Sequence, residues 1–124
     1  MILHVEDDEL VVSYVRRMLE LKGWSVESCM DGEVALRKIE DETQYDLIIL
    51  DQQLPGVSGL QLLRRAHSLP HRRRTPVVMY SCSDLEWEAL AAGANAFVGK
   101  DRGVNELVQT IMRLGVPRDQ KPTS

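Results

Sequence analysis

Aspartate 51 ends the apolar run LIIL (47–50) and precedes the turn-forming pair Pro55-Gly56. Three more acids, Glu6, Asp7 and Asp8, follow ILHV (2–5). Ser81 follows PVVMY (76–80), and Lys100 follows AFV (96–98) by one glycine. Clustered carboxylates repel, and unaided some would be driven to protonate. A hard divalent cation relieves that repulsion, and carboxylate and carbonyl oxygens are the ligands Mg²⁺ prefers. An ionised aspartate beside such a cation can attack phosphorus, because its carboxylate needs no base at neutral pH. The Lys100 ammonium and Ser81 hydroxyl supply the charge and hydrogen bond that a phosphoryl group's equatorial oxygens need. The set points to aspartyl-phosphate chemistry rather than hydride or acyl transfer. No glycine-rich loop follows the first apolar run, which weighs against nucleotide binding.

These residues can meet only if the elements before them end at one place. Residues 2–5, 24–29, 47–50, 76–80 and 96–98 read as strands, with Pro76 tolerated at a first strand position. Leu10, Val11, Tyr14, Val15, Met18 and Leu19 recur at helical spacing, and Gly23 stands where a C-cap would be. Asp31-Gly32 punctuates before a short helix over 33–42. Ser58 caps a helix carrying Leu60, Leu62, Leu63 and Ala66, which stops before Pro70. Ser83 or Asp84 caps a helix over 85–92 that Gly93 ends, and 104–114 forms the last helix. Strict alternation implies an α/β fold, a doubly wound parallel sheet with helices on both faces. In such a sheet ligands bind beyond the carboxyl ends of the strands. That is where Glu6, Asp7, Asp51, Ser81 and Lys100 all fall.

Composition sets outer bounds. A chain of 124 residues, 44% hydrophobic and 27% charged, fits one globular domain. Its net charge of −4 weighs against a nucleic-acid binder. No apolar run approaches the roughly 18 residues of a spanning helix, and the N-terminus lacks signal-peptide regions. Cys29 and Cys82 stand in no metal or redox spacing, so a reduced, cytoplasmic protein is expected. The division expected is a domain over 1–115 and a polar tail over 116–124, either a frayed end or the stub of a linker.

VEDD after the first strand, LDQQLPGVSG around Asp51, MYSCS after the fourth strand and AGANAFVGK at the fifth together resemble the receiver domains of bacterial response regulators, over about residues 1–114. The resemblance implies a flavodoxin-like three-layer sandwich with strand order 2-1-3-4-5 and five helices. It implies that Asp51 is the phosphoacceptor, taking a phosphoryl group from a phosphohistidine on a histidine kinase or phosphotransfer protein. Asp7, Asp51 and the backbone carbonyl of Gln53 would ligate Mg²⁺ directly, and Glu6 through water. Lys100 would pair with a phosphate oxygen. Ser81 and Phe97 would form a switch pair that shifts a partner-binding surface built from helix four, strand five and helix five. A signalling domain that catalyses its own phosphorylation and dephosphorylation is thus expected, not an enzyme. It would touch neither nucleic acid nor membrane directly.

Two positions depart from the family pattern. Lys100 is followed by Asp101 where a cis-proline is usual. A non-proline cis bond costs about 3 kcal/mol, so a trans Lys100-Asp101 peptide is expected, with Asp101 a potential competitor for Lys100. Ser81 and Lys100 are 19 residues apart, a few fewer than is common, which shortens the region of helix four. Gln53 and Ser83 flank the expected entry of hydrolytic water.

Each feature has a plainer alternative. Asp51 could cap the next helix. Asp8 and Glu9 read as first-turn acids facing a helix dipole. His4 reads as a satisfied, partly buried strand residue, and His67 and His71 as solvated. Cys82 reads as packing. The run HRRR (71–74) reads as a solvated loop. Trp87 should point sideways or outward if Ala89, Ala92 and Leu85 face the core. It is either a partner anchor or a ring folded over the helix end. Two further functions are weighed: a phosphorylation-independent interaction module, and a haloacid-dehalogenase-type hydrolase. The hydrolase needs a second aspartate two residues after the nucleophile, where this chain has Gln53.

Overall fold

The computed structural model describes residues 1–82 and 84–119. Ten elements alternate along it: β1 (Ile2–Val5), α1 (Glu9–Leu21), β2 (Val26–Cys29), α2 (Gly32–Glu40), β3 (Leu47–Leu50), α3 (Gly59–Ser68), β4 (Val77–Ser81), α4 (Glu86–Ala91), β5 (Ala96–Gly99) and α5 (Val104–Arg113). Single 3-10 turns cover Pro70–Arg72 and Lys100–Arg102. The five strands form one parallel sheet in the order β2-β1-β3-β4-β5, as the resemblance implied.

Every residue of β1 and β3 is buried, because the sheet is covered on both faces. Alternation along β3 sends Leu47 and Ile49 to one core, with Val15 and Leu19 of α1 and Leu107 and Ile111 of α5. Ile48 and Leu50 go to the other, with Ala35 and Ile39 of α2, Leu62 and Ala66 of α3 and Ala89 of α4. Each such aliphatic side chain contributes about 1.5–3 kcal/mol on burial. Those two layers fix the height at which Asp51 leaves the sheet.

The first three helices start on side-chain caps. Asp8 accepts from the N–H groups of Leu10 and Val11, and Asp31 from those of Glu33 and Val34. Ser58 and Gln61 form a reciprocal capping box. The expected cap of α4 by Asp84 is not formed: the helix begins after Leu85 and has no side-chain cap hydrogen bond. Ser83, the other expected cap and one flank of the expected water entry, lies outside the described residues.

Several expectations fail for reasons of tertiary packing. Ser81 belongs to β4, pairing with Gly99, while Pro76 precedes the strand. The segment after α5 does not fray over 116–119. Val116 is buried, its carbonyl accepts the Trp24 indole N–H at 3.2 Å, and Asp119 Oδ2 accepts from Ser25 N and Oγ at 2.8 and 2.6 Å. The Arg118 guanidinium stacks 5.1 Å over the Trp24 ring. A buried indole needs a partner for its N–H, and this segment supplies one.

The run HRRR is not wholly solvated either. Arg72 is buried and donates to the carbonyls of Ile39, Thr43, Lys38 and Asp41 at 2.6–3.1 Å, with its guanidinium 4.9 Å over the Tyr45 ring. His71 Nε2 also reaches the Ile39 and Asp41 carbonyls. The last carbonyls of a helix lack intrahelical donors, and these two side chains serve α2 from across the domain.

His4 is fully buried rather than partly, and its Nδ1 has no hydrogen-bond partner among the described residues. Burial, with the Lys100 and Arg16 charges, pushes its pKa down to about 3. Cys82 is exposed, so it does not pack as expected. Ala89 is buried, Leu85 and Ala92 are half-buried, and Trp87 projects into solvent.

Candidate functional site

The tips of β1 and β3 are tied together, since Asp51 N–H donates to the Val5 carbonyl at 3.1 Å. Asp51 therefore emerges beside Glu6 and Asp7. One oxygen from each of Glu6, Asp7 and Asp51 lies within 4.8 Å of the others. Glu6 and Asp51 are buried, and Asp7 is exposed. Three oxygen donors, one of them open to solvent, fit a hard cation of the Mg²⁺ type and suit no soft metal. Gln53 stands in the exposed loop that follows.

Lys100 closes the crevice from the tip of β5. Its ammonium lies 2.5 Å from Glu6 Oε1 and 3.4 Å from Asp51 Oδ2. Burial works against the ammonium charge, yet the two carboxylates outweigh it and raise the Lys100 pKa. Burial is also the main influence on Glu6, raising its pKa with help from the Asp51 charge and against the pairing with Lys100. The described residues contain no cis peptide, so Lys100-Asp101 is trans as expected. Asp101 does not capture Lys100. It is exposed, with its Oδ1 packed over the Gly99 backbone.

Ser81 is fully buried at the end of β4, and Phe97 is half-buried on β5. Both line one recess of about 460 Å³. Asp51 does not cap α3, since Ser58 does. One Asp51 oxygen instead accepts the N–H of its neighbour Gln52 at 2.9 Å.

Of three residues that hold the loop of Asp51, Gly59 and Gln52 had no role assigned to them from sequence, and Gly32 figured only as punctuation before α2. A Cβ on Gly59 would collide with the Asp51 carbonyl oxygen, so only glycine lets α3 start this close to the site. A Cβ on Gly32 would likewise strike the Val57 carbonyl. The Gln52 side chain accepts the N–H of Leu60 at 2.8 Å and ties the loop to the first turn of α3. The motif LDQQLPGVSG contains two of these positions, and the spacing of its second glycine was the available signal.

Comparison with known proteins agrees with this geometry. Residues 2–112 match the response regulator receiver domain. The chain is 36% identical over 110 residues to the phosphate regulon transcriptional regulatory protein PhoB of Rhizobium meliloti, covering 86% of this chain and 48% of that protein. It thus spans about half the length of that relative. Among solved structures, the receiver domain of a sensor histidine kinase from Pseudomonas aeruginosa PAO1, with a magnesium ion in its active-site cleft, is 30% identical with a TM-score of 0.79, covering 90% of this chain and 93% of that one. The response regulator TrrA of Thermotoga maritima, solved with Mg²⁺ and BeF, is 25% identical with a TM-score of 0.80, covering 91% and 96%. Among the described residues no helix is long and apolar enough to cross a membrane. The chain belongs to the response regulator receiver family, the phosphoacceptor domains of two-component signalling.

Proposed function

We propose that Asp51 accepts the phosphoryl group of a phosphohistidine carried by a histidine kinase or phosphotransfer protein. An Asp51 carboxylate oxygen attacks phosphorus in line, the phosphorus–nitrogen bond breaks, and the electron pair leaves on the imidazole. Asp7, Asp51 and the Gln53 carbonyl would hold Mg²⁺, and Glu6 would act on it through water. When bound, the ion neutralises charge on the phosphoryl oxygens. Lys100 exchanges its contact with Asp51 for one with a phosphate oxygen. Ser81 donates its hydroxyl to another, and Phe97 turns inward behind it. The surface of α4, β5 and α5 then changes population between two forms and is read by a downstream protein. Dephosphorylation is carried out by the domain itself, with Gln53 beside the entering water. The chain acts in this reading as a cytoplasmic signalling domain rather than as an enzyme on a separate substrate.

The single observation that carries the reading is the Lys100 ammonium set between Glu6 and Asp51 at the rim where three carboxylates converge. The test is Mg²⁺-dependent uptake of beryllofluoride followed by fluorine NMR. The wild type should show a bound resonance that vanishes on chelation and in Asp51→Ala. No resonance in the wild type at saturating beryllofluoride would sink the reading and leave a phosphorylation-independent interaction module.

A further inference from the structure

The α4 helix is only six residues long, yet Trp87 is 78% exposed and Leu90 46%. At a spacing of three residues they share one face of the helix. A solvated indole leaves a large apolar area in water, and such residues are common anchors at the centre of interfaces. Beside this face opens the recess between the β4–α4 connection, the edge strand β5 and α5. Its wall carries four carboxylates, Asp84, Glu86, Asp101 and Glu106, against one guanidinium, Arg102. Asp84, Glu86 and Asp101 make no ion pair among the described residues, and Glu106 has only Arg113 at 3.7 Å. Glu86 stands four residues before Leu90, so the acidic rim and the apolar face are continuous.

From this charge and shape we infer that the face takes a cationic amphipathic segment of a partner protein. The apolar side of the segment seats on Trp87 and Leu90, and its lysines or arginines enter the carboxylate-walled recess. The inference rests on the phosphoacceptor reading, because Ser81 and Phe97, which line the recess, are the pair expected to move on phosphorylation.

The probe is a synthetic helical peptide of about 18 residues with leucine on one face and lysine on the other. A counterpart with glutamate for every lysine serves as control. The lysine peptide should bind, shift the emission of the exposed Trp87 to the blue, and move amide resonances between residues 84 and 106. The glutamate peptide should not bind. Trp87→Ala should weaken binding roughly tenfold or more. Asp84→Asn with Glu86→Gln should do likewise and flatten the decline in affinity between about 50 and 300 mM salt. Equal binding of the two peptides, or full affinity in either variant, overturns the inference. Beryllofluoride uptake is scored on the same samples. Uptake with no peptide discrimination refutes the docking face alone, whereas absent uptake in the wild type refutes the phosphoacceptor reading and leaves the peptide result standing.

Discussion

The Lys100 ammonium lies 2.5 Å from Glu6, a carboxylate only 1% exposed to solvent. Removing one member of a buried pair leaves an uncompensated charge, commonly at a cost of about 3 kcal/mol. Lys100→Met should therefore lose about that much stability at pH 7, and adding Glu6→Gln should restore most of it. In the single variant the deficit should shrink on acidification, because protonating Glu6 removes the unpaired charge. Denaturant midpoints for the cycle check this, and equal losses in the single and double variants would contradict it.

Gly59 holds α3 against the Asp51 carbonyl. In Gly59→Ala the new methyl must push the loop away, at a cost of about 1–3 kcal/mol. A displacement near 1 Å at a reacting group can cost about a hundredfold in rate. Phosphorylation by a small-molecule phosphodonor should slow by at least tenfold while circular dichroism stays near wild type. An unchanged rate would show that the loop tolerates the shift.

Arg72 serves four carbonyls around the end of α2 with one planar guanidinium. Lysine has three donors on a single nitrogen and cannot span them. Arg72→Lys and Arg72→Ala should each lower stability by about 2–4 kcal/mol, read as a fall in thermal midpoint. Arg73→Ala, an exposed neighbour, should stay within about 0.5 kcal/mol of wild type. Similar losses at both positions would contradict the anchoring role of Arg72.

His4 remains neutral in the folded protein down to about pH 3, whereas in the unfolded chain it titrates near 6.5. As pH falls below about 6.5 the unfolded state takes up the proton first, so stability declines by about 1.4 kcal/mol per pH unit. Above that pH the group makes no pH-dependent contribution. His4→Val should remove this component. Between pH 7 and 5 the wild type should lose about 2 kcal/mol more than the variant in urea unfolding. Parallel losses would show that His4 is hydrated or paired.

Much of the site was legible in the sequence. Four-residue apolar runs ending in Glu6 and Asp51 are signals carried by neighbours along the chain, and burial on both sheet faces leaves little choice of arrangement. Strict alternation of elements then sets all the strand tips at one edge, so Ser81 and Lys100 could be assigned to the same rim. The caps Asp31 and Ser58 were similarly local.

What only the tertiary structure decided involves partners far apart in sequence. Lys100 chose Glu6 and Asp51 over the adjacent Asp101 because both face the low-dielectric crevice, where an ion pair is stronger than in water. In the sequence Arg72 is one charge in a basic run, and it is a buried donor because α2 ends above it with unsatisfied carbonyls. Residues 116–119 carry no periodicity, yet the Trp24 indole and Ser25 give them partners. Hydrophobic spacing along a chain specifies which face is covered. The choice of hydrogen-bond and charge partners is made only when the covered faces meet.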